Sequence, residues 1–155
     1  MTVSKIVALD GTAGSGKSTI GRLLADRLRF TFLDSGILYR IIAQKVLLEG
    51  ISPGDEASVV FLAESLEIDI VGAENSATSL PMICILGREV NQDSLQTAAV
   101  DRIVPIVARY PGVRERIRKI QRSVAVRGKI VMAGRDIGTV VLPDANMHPE
   151  PGRTA

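Results

Sequence analysis

The sequence predicts an α/β fold: a parallel core sheet with helices on its faces, and a small antiparallel sheet inserted in mid-chain. Three observations carry that prediction. A strand-like run, Ile6-Val7-Ala8-Leu9, passes through a glycine-rich turn into a helical pattern. A second run, Phe30-Thr31-Phe32-Leu33, passes into a second helical pattern, so strand and helix alternate as a parallel sheet requires. The rhythm then breaks between about residues 51 and 95. There a helical pattern is followed by two strand-like runs, Leu66 to Val71 and Pro81 to Leu86, joined by the polar stretch GAENSATS. Val90 and its neighbours add a third short strand. Strands joined in this way belong to a local antiparallel sheet rather than to the core.

The bounds set by composition agree with one such domain. A chain of 155 residues buries roughly 70% of its unfolded surface as a single unit. Its hydrophobic content is 46%, with no tryptophan, which describes an aliphatic core. Nineteen Lys and Arg against seventeen Asp and Glu leave a net charge of +2, too little to argue for nucleic acid or a membrane surface. The single cysteine, Cys84, sits in an apolar run and reads as a small buried hydrophobe. It cannot close an internal disulfide, so nothing points to an oxidising compartment. The lone histidine, His148, reads as exposed and inert. No apolar run approaches the ~20 residues of a membrane span, and the N-terminus reads as a strand rather than a signal peptide. A cytoplasmic location is expected.

Between the first strand and first helix, Gly11, Gly16, Lys17 and Ser18 fit GxxxxGK[ST] in full. Glycines at this spacing let backbone N–H groups converge on phosphate oxygens, and the helix N-terminus adds partial positive charge. Lys17 then reaches the outer phosphates of a nucleotide, and the Ser18 hydroxyl suits Mg²⁺. Ile20, Leu23, Leu24 and Leu28 supply the helical spacing that follows. The next helix carries Ile37, Leu38, Ile41, Ile42, Val46 and Leu48, with Asp34 or Ser35 placed to cap it. Ser52-Pro53-Gly54-Asp55 reads as a turn and cap before Val59, Val60, Leu62, Ala63 and Leu66. Helical spacing resumes at Ala98, Val100, Ile103 and Val104 and crosses Pro105, where a kink is expected. Another helix starts at Pro111-Gly112, with Val113, Ile117, Ile120 and Val124 on one side. Arg114, Arg116, Arg118, Lys119, Arg122 and Arg127 lie elsewhere on it and read mostly as a solvated face. Gly128 ends it, and Ile130-Val131-Met132-Ala133 forms a third core strand before Gly134-Arg135-Asp136.

Each core strand therefore ends in polar chemistry, and a parallel sheet brings such ends to one edge. Lys17, Arg40 and Arg135 would meet there, with Asp34 and Asp136 as partners. This inventory suits a phosphate monoester as acceptor, because its second pKa near 6 makes it a dianionic nucleophile that needs cations more than a general base. The bidentate fork of arginine suits that role, and Arg40 with Arg135 reads as the clamp. The plainer reading of either arginine is a structural ion pair with Asp34 or Asp136.

The runs GTAGSGKST, FLDSGILYR, YPGVRE and GRDIGTVVLPDA together resemble bacterial cytidylate kinase, the (d)CMP kinase branch of the nucleoside monophosphate kinases. They follow in order from about residue 3 to Ala145. The resemblance implies the three-layer P-loop NTPase fold and ATP-dependent conversion of CMP or dCMP to the diphosphate, with Mg²⁺ held at Ser18. It implies a cytoplasmic monomer, and residues 51–95 as an inserted monophosphate-binding region. It implies that Gly11, Thr12, Ala13, Gly14, Ser15, Gly16, Lys17, Ser18 and Thr19 wrap the ATP phosphates. It further implies substrate contacts from Ser35, Tyr39, Arg40, Arg114, Arg135 and Asp136, with Lys17, Arg135 and Asp136 in the catalytic set. Asp136 fits physically, since a carboxylate accepts from the exocyclic amine that cytosine has and uracil lacks.

The chain also departs from the family pattern. Ile103 and Pro105 stand where Asn and Ser are usual on the helix facing the base, and Gln96 stands where an arginine is common. Residues 146–155 read as an irregular tail, because two prolines and a glycine do not make the family's fourth strand. The expectation is a C-terminally truncated domain with an incomplete core sheet, its first strand at the sheet edge, and impaired activity. A kinase for another small acceptor and a non-catalytic nucleotide-binding fragment are the alternative readings.

Overall fold

The computed structural model describes residues 5–11, 16–72, 80–135 and 137–138. These group into two compact units, one drawn from the chain up to Ser35, Ile70–Met82 and the chain from Gln121 onward, the other from Gly36–Asp69 and Ile83–Ile120.

The first unit holds the parallel sheet expected from the alternation. Strands β1 (Ile6–Asp10), β2 (Thr31–Asp34) and β6 (Ile130–Gly134) lie in the order β1-β6-β2, both pairings parallel. Strand β6 is central and buried along its whole length, as its unbroken apolar composition requires. The register sets Asp10 opposite Gly134 and Asp34 opposite Ala133, so the carboxyl ends of all three strands are level. Among the described residues this order leaves β1 at one end.

Helix α1 (Lys17–Leu28) packs on this sheet differently from its apolar spacing. Its buried residues are Gly21 and Ala25, with Leu24 partly buried against Val7, Leu9, Phe30, Phe32, Val131 and Ala133. Ile20 and Leu23 are each 59% exposed, and Leu28 is 42% exposed. The reason is close approach. A Cβ on Gly21 would overlap the Phe32 ring edge and lie 2.9 Å from Leu9 Cδ1. The helix touches the sheet along its small residues, and the branched ones flank that contact.

The second unit is largely helical, with α2 (Gly36–Leu48), α3 (Glu56–Ser65), α4 (Ala98–Val107) and most of α5 (Pro111–Val126). Asp55 caps α3, accepting from the Ser58 backbone N–H at 3.2 Å and the Ser58 hydroxyl at 2.6 Å. Thr97 caps α4 through the Val100 N–H, and α4 continues past Pro105 to Val107. On α5 the residues Val113, Ile117, Ile120 and Val124 are buried as expected. Its cations are only partly a solvated face. Arg116 is half-buried and donates to the Ala63 and Leu66 carbonyls at 3.2 and 2.7 Å, which serves the C-terminal end of α3. Arg118 pairs with Glu115 at 2.7 Å, whereas Arg114, Lys119 and Arg122 are exposed.

The expected small sheet comprises β3 (Ile68–Val71), β4 (Met82–Ile85) and β5 (Arg88–Glu89), in that order. Strands β4 and β5 pair antiparallel around Leu86-Gly87, at φ 51° and 77°. Two successive positive φ values make the tight hairpin turn that matches strand twist, here with leucine where Asn or Asp is usual. Val90 lies just past β5, where its N–H donates to the Ile83 carbonyl at 2.8 Å. Cys84 is half-buried rather than buried. His148 and the tail from residue 146 lie outside the described residues.

Candidate functional site

In the first unit, polar groups gather where the three parallel strands end. Gly16 is the N-cap of α1 at φ 81°, a conformation suited to glycine, and it has no side chain of its own to cap the helix. The N–H groups of a helix's first turn have no intrahelical acceptor and carry partial positive charge, which is how a helix N-terminus takes a phosphate. Lys17 is the first residue of the helix and is half-buried. Beside it, the Ser18 hydroxyl donates to Asp34 Oδ2 at 2.8 Å. The sequence reading treated Asp34 as a cap or an arginine partner. Its placement against Ser18 depends on β2 being level with the start of α1.

The turn after β6 is tied to the turn after β1. The Gly11 N–H donates to the Gly134 carbonyl at 3.2 Å. The Asp10 carboxylate accepts from the Ile137 N–H, and from the Gly138 N–H at 2.9 Å to Oδ2. Ser35 is buried at the end of β2 with its N–H on the Ala133 carbonyl at 2.9 Å, and a Cβ on Gly134 would overlap its Oγ. Glycine is needed at 134 to let these strand ends close up. Arg135 leaves this knot as an exposed residue, with no side-chain partner among the described residues. Thr12, Ala13, Gly14, Ser15 and Asp136 lie outside the described residues.

The other expected contacts fall in the second unit. Arg40 Nη1 donates to the Leu95 carbonyl at 3.1 Å and to Asp101 Oδ1 at 2.7 Å. Among the described residues its ion pair is thus with Asp101, which the plainer sequence reading did not name. Tyr39 lies within the electrostatic reach of Arg114 and Arg118. Burial pushes its phenol up from the ordinary 10.0, and the two guanidiniums pull it back in part. The folded value lies above the unfolded one, so this contribution to stability is whole below pH about 10 and is lost as pH rises through the folded value. Thermal melting should hold level to that point and fall beyond it, with a shallower fall for Tyr39→Phe. Tyrosinate absorbance measured in parallel should show Tyr39 ionising after its unfolded counterpart; earlier ionisation would contradict the assignment.

Of the expected residues, then, Lys17, Ser18, Ser35 and Arg135 share one unit, and Tyr39, Arg40 and Arg114 share the other. Sequence reasoning missed Asp101 and the Leu95 carbonyl. Asp101 lies in the first turn of α4, where an acidic residue is already accounted for by the helix dipole, so it carried no separate signal. Ile103, noted for replacing a polar residue, is buried, and Pro105 is exposed. Among the described residues no helix is long and apolar enough to cross a membrane, and no three His, Cys, Asp or Glu side chains cluster as metal ligands.

Comparison with known proteins places this arrangement in a family. The profile described as cytidylate kinase matches residues 7–148. The cytidylate kinase of Roseiflexus castenholzii is 42% identical over 146 residues, which is 94% of this chain and 62% of that protein. That of Chloroflexus aggregans is 39% identical over 147 residues, covering 95% and 64% respectively. That of Pelotomaculum thermopropionicum is 40% identical over 141 residues, covering 91% and 61%. The chain spans less than two thirds of the length of these relatives.

Proposed function

Because the chain belongs to the cytidylate kinase family, we propose that it transfers the γ-phosphoryl group of ATP to CMP or dCMP. The observation that carries this reading is the start of α1 at Gly16, whose φ of 81° turns the chain into the helix, with Lys17 next and Ser18 bonded to Asp34. It supplies backbone donors, a cation and hard oxygen atoms at one strand edge, which is what a magnesium-bound polyphosphate requires.

In this reading the backbone from Gly11 to Thr19 cradles the ATP phosphates and Lys17 neutralises their outer oxygens. The Ser18 hydroxyl and the adjacent Asp34 carboxylate fit a small hard cation, so these two residues would hold Mg²⁺ directly or through water. That ion, when bound, offsets charge on the β- and γ-phosphates. Ser35, Arg40 and Arg135 grip the acceptor's phosphate, Tyr39 lines its site, and Arg114 and Asp136 address the cytosine edge. An acceptor phosphate oxygen bonds to the γ-phosphorus as the bond to the β–γ bridging oxygen breaks, leaving ADP. The acceptor is already ionised at neutral pH, so no residue need remove a proton. The engagement of Asp10 with two backbone N–H groups accords with that, since it makes this carboxylate a brace. Residues 51–95 form the monophosphate-binding insert, and the enzyme acts as a cytoplasmic monomer without nucleic-acid or membrane partners.

A second reading, a kinase for a different small acceptor, draws on Ile103 and Pro105, which offer no side-chain hydrogen bond to a base. An acceptor panel separates the two. With ATP and magnesium, CMP and dCMP should be phosphorylated in preference to UMP, AMP and hydroxyl acceptors such as sugars. Preference for another acceptor would overturn the cytidylate assignment. ATP binding without transfer to any of them would make the chain a nucleotide-binding protein.

A further inference from the structure

Among the described residues, the bonds of Arg40 are confined to one nitrogen. On the reading that Arg40 grips the acceptor's phosphate, we propose that Asp101 is the positioning residue that aims it, acting together with the Leu95 carbonyl. Nη1 carries two hydrogens, and the two acceptors take both: Leu95 O at 3.1 Å and Asp101 Oδ1 at 2.7 Å. Among the described residues nothing engages Nε or Nη2. A guanidinium is planar, so holding both hydrogens of Nη1 fixes the plane. The Nε–H and one Nη2–H then remain as a parallel pair, the side-on fork that matches two oxygens of a phosphate monoester.

The acceptors are themselves held in place. Leu95 ends the 3₁₀ turn Gln92–Leu95, and its side chain is fully buried. Gln44, one turn after Arg40 on α2, donates to the Ser94 carbonyl and hydroxyl, each at 3.2 Å, pinning the same turn. Asp101 stands in the first turn of α4, which Thr97 caps. Arg40 thus reaches a rigid carbonyl and a helix-borne carboxylate, and its rotamer freedom is spent before any substrate arrives. Such preorganisation raises affinity without a new contact to the ligand. Fold stability depends little on the pair, since the Arg40 and Asp101 side chains are 28% and 58% exposed and surface pairs contribute little.

The test measures binding and turnover on the full chain. Asp101→Ala should raise the Kd and KM for CMP about tenfold, the scale of one charge-assisted hydrogen bond, with kcat, ATP affinity and melting temperature unchanged. Asp101→Asn keeps an acceptor oxygen and should retain most of the wild-type KM. In an Arg40→Ala background, Asp101→Ala should add no further loss, because it acts only through that arginine. The same factor should apply to UMP, since the effect is on phosphate and not on base. A lower KM in Asp101→Ala would make Asp101 a competitor for Arg40 and overturn the proposal. An equal loss with and without Arg40, or a fall in melting temperature that accounts for it, would also overturn it. If the wild-type chain prefers another monophosphate, the cytidylate reading fails, while the Asp101 factor measured on that monophosphate still decides this proposal. If it binds no monophosphate, both fall.

Discussion

Lys17→Ala should cut phosphoryl transfer by at least about 10²-fold, the scale on which loss of one preorganised charge-stabilising group is felt. Lys17 opens α1 directly after a cap residue at φ 81°, so its backbone is set by Gly16 and not by its own side chain. The side chain is half-buried, outside the apolar cluster that joins α1 to the sheet. Removing it should therefore leave melting temperature and circular dichroism unchanged while weakening ATP binding, transfer, or both. Lys17→Arg should not rescue, because a planar fork replaces a point charge in a tight turn. Steady-state turnover and ATP-analogue titration on the same preparations give the result. Wild-type rates with unaltered ATP affinity would remove Lys17 from the proposed site.

The second large effect is on folding. Gly21→Val should destabilise the chain by about 2–3 kcal/mol, at the upper end of what overpacking costs. The space for a Cβ is already taken by the Phe32 ring edge, and Leu9 Cδ1 is at 2.9 Å. Both residues belong to strands whose backbones are locked in the parallel register, so neither can retreat far. Valine adds a branched side chain to a helix interior, where it is also a weaker helix former than alanine. Gly21→Ala is the informative control: its gain in helix propensity, about 1 kcal/mol, partly offsets the clash, so it should lose less. Chemical denaturation of the three proteins measures the series. Equal stability for glycine and valine would mean that α1 does not approach the sheet as closely as described.

The alternation of apolar runs with helical spacing was enough to place β1, α1, β2, α2, α5 and β6, because buried parallel strands and amphipathic helices write their periodicity into the chain. The caps at Asp55 and Thr97 are local devices, and Asp55 was read directly from its turn. The glycine-lysine-serine turn was legible for the same reason: its chemistry lies within eight consecutive residues, from Gly11 to Ser18. What the sequence could not show was anything that depends on the distance between elements. The leucine spacing of α1 suggested a buried stripe, yet the helix lies on Gly21 and Ala25 because only small residues allow so close an approach to Phe32 and Leu9. The basic residues of α5 looked alike, but Arg116 reaches the last carbonyls of α3 while Arg114 remains exposed. Arg40 is proposed as a clamp residue from its place near a strand end. Its partner, Asp101, lies 61 residues away on another helix. A pairing at that separation has no periodicity and no spacing rule; it exists only once α2, the 3₁₀ turn and α4 have packed. The sequence by itself thus determined the elements and marked the glycine-lysine-serine turn proposed to bind phosphate, whose forces act between neighbours along the chain. Only the tertiary structure decided which side chains those elements bring within hydrogen-bond reach of one another.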